Sequence, residues 1–150
     1  MQRIDEVFEI RRTNLTDVKQ IEELKDRVNL KGFGKISLIK LIERSTLSLC
    51  ITDSEGILAG HACFYEYPNN DEFPQDDWIS IFSTKYRINN VTNTNSLFVH
   101  LLVLDSANEK MALSQMLKSA FNIAHSVHHI FLLLESDYNL RRVRTLSTIS

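Results

Sequence analysis

The chain has 150 residues, 43% hydrophobic and 24% charged, enough to bury the core of one domain and near the average of globular proteins, which excludes disordered and collagen-like classes. A formal charge of -2 and a pI near 6.2 leave no cationic footprint for nucleic acid, whose binding draws on neutralised phosphates. No apolar run approaches the roughly 18 residues of a membrane span, and Met1 to Glu6 is charged and lacks the apolar stretch of a secretion signal, so a cytoplasmic protein is expected.

Val7 to Arg12 alternates with period two and predicts a half-buried first strand. Asn14 then caps a helix, with Asp17 placed where an acidic side chain favours the first turn. Leu15, Val18, Ile21, Leu24 and Val28 recur every three or four residues and lay one apolar stripe on a core. Gly32-Phe33-Gly34-Lys35 follows. It fits neither the Walker spacing nor the dinucleotide fingerprint, since no strand precedes it and the later glycine is absent, so it reads as an interhelical turn. A second helix is predicted from about Ile36 to Ser45, with Leu38, Ile39, Leu41 and Ile42 facing inward.

From Leu47 the period changes. Leu47 to Thr52 and Ile57 to Tyr65 read as strands, and Asp53-Ser54-Glu55-Gly56 between them favours a tight turn, so a β-hairpin is expected. Cys50 and Cys63 fall in these strands, where buried reduced thiols behave as small hydrophobes. Pro68 ends the hairpin, and Asn69 to Asp77 is a polar, acidic loop. Trp78-Ile79-Ser80-Ile81-Phe82 then forms an apolar island. It reads as a helical turn packed on the sheet; the functional alternative is an exposed aromatic anchor for a partner. On that alternative Asp76, Asp77, Trp78 and Phe82 are candidate partner-binding residues, joined by Arg141 and Arg142 of the C-terminal stretch.

Asparagine and threonine dominate Asn89 to Ser96, a loop by composition, and Leu97 to Leu104 is apolar enough for a central strand. A helix with Leu113, Met116, Leu117, Ala120, Phe121 and Ala124 on one side is predicted from about Asn108 to His125. A strand feeding directly into a helix is a ready seat for phosphate, because the helix N-terminus offers unpaired amides and a partial positive charge. Wrapping backbone around a pyrophosphate needs glycines, and the chain has none after Gly60. The turn reads as a ligand site with its chemistry removed, and no cofactor is expected. His129 to Leu134 is a buried strand, consistent with a parallel neighbour reached by a helical crossover. His125, His128 and His129 lie at a helix end with no matching carboxylate or cysteine motif, so no metal site is expected; His100 reads as a core or interface histidine. Asp137 to Ser150 is basic and has little core-forming pattern, either a frayed end or a partner-dependent segment.

This order of elements resembles the first five strands of the GNAT acetyltransferase fold, an α/β (α+β) mixed central sheet with flanking helices, here without the last strands. The resemblance implies that the turn after the fourth strand would hold the pyrophosphate of acetyl-CoA. Aligned through Met116-Leu117, the positions that the family fills with glycine fall on Met111 and Leu113, and the leading arginine or glutamine on Asn108. For an N-acetyltransferase using acetyl-CoA, the alternative reading, Glu66 as base, Tyr138 as acid and Asn139 beside it are the candidates that the resemblance supplies.

A closer resemblance rests on Phe8-Glu9-Ile10-Arg11-Arg12-Thr13, Tyr67-Pro68-Asn69, Gln75-Asp76-Asp77-Trp78-Ile79-Ser80-Ile81-Phe82, Asn95-Ser96-Leu97-Phe98-Val99-His100-Leu101 and His129-Ile130-Phe131-Leu132. These segments are similar to the N-terminal domain family of cilia- and flagella-associated protein 61. The resemblance implies a non-catalytic structural role in the motile-cilium axoneme, with radial spoke and calmodulin- and spoke-associated complex subunits as partners, and no nucleic acid or membrane. Residues 1–136 are expected to form the GNAT-like domain and 137–150 a basic tail. Family members continue into longer chains, so this one reads as a short paralogue or a truncated product. With the last strands absent, the open sheet edge is expected to be covered by a neighbour or by the tail folding back.

Overall fold

In the computed structural model, residues 8–28, 37–68, 77–133 and 143–145 are described. The period-two run forms strand β1 (Glu9–Arg12), and a single 3-10 turn at Leu15–Asp17 leads into helix α1 (Val18–Arg27). Helix α2 (Leu38–Arg44) precedes the hairpin of β2 (Leu47–Thr52) and β3 (Leu58–Tyr65). Helix α3 is Trp78–Lys85, β4 is Ser96–Leu104, α4 is Glu109–Ile123 and β5 is His129–Leu133. A short β6 (Val143–Thr145) follows. The strands lie in sequence order in one sheet, antiparallel except for the parallel pair β4 and β5. That one parallel pair is joined through α4, as a parallel connection requires.

Every residue of β2 and β3 is buried, which explains why the hairpin shows a continuous apolar run. One face carries Leu47, Leu49, Phe64, Leu97, Val99 and Ile130 against Ala112, Met116, Leu117 and Ala120 of α4. The other face packs Cys63, Tyr65, Leu101 and Val103 against Ile21 and Leu24 of α1 and Leu38 and Ile42 of α2. Leu15 and Ile39, both expected on inward stripes, are 51% and 46% exposed. Leu15 sits in the 3-10 turn, whose tighter winding carries it off the face that α1 buries.

The hairpin turn works as its residues suggest. Asp53 Oδ1 accepts from the amides of Glu55 and Ile57, both at 2.9 Å, and Gly56 takes φ +80°, a conformation open to glycine. Two irregularities then shape the sheet. Ile51 pairs with Gly60 and Thr52 with Leu58, so Ala59 is an extra residue in β3; Cys63 pairs with Leu101 and Phe64 with Val99, so His100 is an extra residue in β4. Gly60 permits close approach beside the first bulge, since a Cβ there would lie 2.8 Å from Ile51 Cγ2 and 3.1 Å from the Val103 carbonyl oxygen. Gly60→Val is therefore expected to cost about 1–3 kcal/mol through overpacking. Urea denaturation checks it, and an unchanged midpoint would contradict it.

Val143–Thr145, inside the segment read from sequence as a basic tail, pairs antiparallel with β5. These three residues thus cover the edge of β5 and add a strand to the sheet. The acidic loop expected over Asn69 to Asp77 and the glycine turn at Gly32 to Lys35 lie outside the described residues, except for Asp77.

Candidate functional site

Among the described residues, strands β4 and β5 pair over Ser96–His129, Leu97–Ile130 and Phe98–Phe131 and no further, while β4 continues six residues to Leu104. A crevice between diverging parallel strands, below a helix that starts at their carboxyl ends, is where open α/β sheets hold ligands. Here the helix start is already engaged. Asp105 is the N-cap of a 3-10 turn (Ser106–Asn108) that runs into α4. Its Oδ1 accepts from the Ala107 amide at 3.2 Å, and its Oδ2 pairs at 3.3 Å with Arg27 Nη2 from the last turn of α1. The Asp105 amide donates to the Ala59 carbonyl at 2.9 Å, so the bulge in β3 anchors the cap.

An amide and a dipole that could attract phosphate are satisfied by the chain's own carboxylate. Glu109 in the first turn of α4 adds a second negative charge. Met111 is half-buried, and Leu113 packs against the core on the α4 face of the sheet. A pyrophosphate placed at this helix start would meet the carboxylates of Asp105 and Glu109. The residues present do not fit that group.

The root of the crevice is filled as well. Phe98 and Phe131 stack at 5.3 Å where the strands part, and Trp78 and Phe82 of α3 meet Phe98 edge-on at 4.8 and 5.7 Å. Trp78 is 1% and Phe82 0% exposed. The island packs on the sheet as a helix, as its main reading had it, and the alternative of an exposed aromatic anchor is corrected at these two residues: α3 lays its rings on the sheet because Phe98 and Phe131 offer an apolar patch that no other described helix covers. Asp77, the N-cap of α3, is exposed. Asp76, Arg141 and Arg142 lie outside the described residues, as do Tyr138 and Asn139. Glu66 is exposed just beyond β3.

A second group of reactive side chains lies under α1. His61 in β3 is fully buried, with its Nε2 3.2 Å from Cys63 Sγ and its Nδ1 3.3 Å from Thr13 Oγ1 and 3.8 Å from Cys50 Sγ. Ser48 Oγ donates to Thr13 Oγ1 at 2.8 Å. Asp17 closes the group, held by Arg11 through two 2.8 Å bonds and by the Asn14 amide at 2.8 Å. Asp17 thus fills the first-turn role expected of it and is also buried as an ion-pair partner. Burial pushes the Cys50 thiol up to about 11 and Cys63 up to about 12. At neutral pH neither offers a thiolate, and the imidazole turns a different nitrogen to each sulfur, so the cluster is neither a nucleophile pair nor a chelate. Among the described residues no group of three or more histidine, cysteine or acidic side chains could hold a metal.

His100, pushed out of register by its bulge, lies flat on Tyr65 at 3.9 Å, and its Nε2 donates to the Tyr67 carbonyl at 2.7 Å. Tyr65 in turn donates to the Leu41 carbonyl of α2. These contacts make His100 a structural tie between β4, the end of β3 and α2. His125 and His128 are exposed beyond the end of α4, and the amides of His128 and His129 both donate to the Asn95 carbonyl.

A mixed sheet with one parallel pair and helices on both faces defines a GNAT-like fold, here with the start of α4 capped by Asp105. Three solved acetyltransferases share the fold. Ard1 from Thermoplasma volcanium is 12% identical, with 88% of this chain and 74% of that one covered and a TM-score of 0.56. Diaminobutyrate acetyltransferase EctA from Paenibacillus lautus, solved with its substrate and coenzyme A, is 16% identical over 87% and 67% at 0.55. A GNAT-family acetyltransferase from Listeria monocytogenes is 18% identical over 89% and 84% at 0.53. The chain itself belongs to the family of cilia- and flagella-associated protein 61, N-terminal domain, which matches residues 9–146.

Asp105 was not singled out from the sequence, although an aspartate before a polar turn and a helical pattern is an N-cap signal that could have found it. No such signal points to its partner Arg27, which is 78 residues away.

Proposed function

We propose that the chain is a non-catalytic, protein-binding component of the motile-cilium axoneme, at the radial spoke base within the calmodulin- and spoke-associated complex. Family membership supports the ciliary setting. One observation carries the non-catalytic part: Asp105 occupies the Ala107 amide and is itself tied to Arg27, so the helix start that would seat a nucleotide tail is capped by an anion. A tagged copy expressed in motile-ciliated cells is expected to remain with axonemes after detergent strips the membrane, and to crosslink to radial spoke subunits. Recovery in the cell body alone would overturn the proposal.

The parting of β4 from β5 favours a second reading, an N-acetyltransferase using acetyl-CoA. That reading requires the Asp105–Arg27 pair to open and the amide at Ala107 to exchange its carboxylate for a phosphate.

A further inference from the structure

The outer side of β1 is an edge, and its chemistry matches a second copy of itself. The Thr13 amide donates to the Ser48 carbonyl at 2.9 Å, and Thr52 Oγ1 reaches the Glu9 carbonyl at 3.4 Å. With Glu9 opposite Thr52 and Arg11 opposite Cys50, the backbone groups of Glu9, Arg11 and Thr13 face β2. Those of Ile10 and Arg12 face away. No strand among the described residues pairs with that side. Arg11 Nη1 donates to the Arg12 carbonyl at 3.2 Å, which leaves the Ile10 amide and carbonyl and the Arg12 amide directed outward.

Side chains alternate across the same edge. Phe8 and Ile10 lie half-buried on the α4 face and line a shallow recess with Gln115, Lys118 and Ser119. Glu9 is exposed on the α1 face beside Arg11, whose side chain keeps 38% of its surface open although it holds Asp17.

We propose that two copies of the chain join antiparallel through β1, about a two-fold axis at Ile10, so that one sheet runs through both. Within β1 the outward groups can pair with the axis on Glu9, Ile10, Arg11 or Arg12, and an axis on Arg12 sets its side chain against its own copy. Centring on Glu9 sets glutamate against glutamate, and centring on Arg11 sets arginine against arginine, both unfavourable. Centring on Ile10 places Glu9 opposite the partner's Arg11 twice, Ile10 against its own copy, and the stem of Arg12 along the partner's Phe8 ring. The edge thus selects one register by charge. This inference rests on β1 alone and stands apart from the ciliary reading.

Analytical ultracentrifugation of the 150-residue chain, from micromolar to millimolar concentration, tests it. A reversible monomer–dimer equilibrium is expected. Ile10→Pro removes an amide that β2 does not use and is expected to abolish the dimer with the circular dichroism spectrum retained. Glu9→Arg changes an exposed side chain, sets like charges together twice, and is expected to weaken dimerisation roughly tenfold. If Ile10→Pro does not fold, Glu9→Arg decides alone. A monomer at every concentration, or a dimer that withstands every folded variant, overturns the proposal.

Discussion

Between pH 6.5 and pH 4 the chain is expected to lose stability steeply, because two histidines are buried in the neutral form. Burial lowers both His61 and His100 from 6.5 to about 4. The unfolded chain takes up a proton at each imidazole near pH 6.5, whereas the folded chain resists until about pH 4. Protons therefore favour the unfolded state throughout that window, and above it neither histidine makes stability depend on pH. A difference of this size corresponds to roughly 3 kcal/mol for each histidine at the acid end of the window. Asp17 acts lower on the scale. Arg11 holds its carboxyl below the ordinary 3.8, so its contribution is present above that value and is lost only as pH falls beneath it. Urea unfolding at pH 7 and pH 5 should show a large loss for the natural chain and a smaller one for His61→Asn and for His100→Gln. Equal losses in all three would contradict the account.

Phe82→Ala is expected to cost about 3–5 kcal/mol, the range for deleting a buried aromatic ring. Phe82 is fully buried and meets Trp78, Phe98 and Phe131 edge-on at 5.3, 5.7 and 5.1 Å, contacts that add to simple burial. Trp78→Phe should cost clearly less. It keeps a ring on Phe98 and removes an indole N–H that is buried without a hydrogen-bond partner among the described residues, which is itself unfavourable. An aromatic anchor held out for a partner would behave otherwise: its loss would leave stability within about 0.5 kcal/mol. Thermal or urea unfolding of the two variants side by side separates these outcomes.

The elements that the sequence announced are those whose signals are local. Asp53 to Gly56 carries the hairpin turn in four residues, and the apolar runs around it read as its two strands, which the structure covers on both faces. The first-turn position of Asp17 was equally plain, since Asn14 and Asp17 stand three apart. Long-range events left no such trace. Val143–Thr145 is three residues long and has no apolar pattern; it becomes a strand because β5 presents an unpaired edge. The flanking of His61 by two thiols follows from register, Cys50 opposite His61 and Cys63 two residues on, which the hairpin fixes but composition does not. At the candidate site, the lack of any glycine after Gly60 was visible in the sequence, whereas the pairing of Asp105 with Arg27 depended on where α1 ends.

The proposed function rests on Asp105 closing the seat for a nucleotide tail, with the fold serving as a docking body. Isothermal calorimetry with acetyl-CoA titrated into the chain to millimolar concentration, beside an active acetyltransferase as control, tests it most directly. The account predicts no saturable heat from this chain. A saturable isotherm that steepens when Asp105 is changed to Ala would contradict it, since the site would then be a cofactor seat that the aspartate merely weakens.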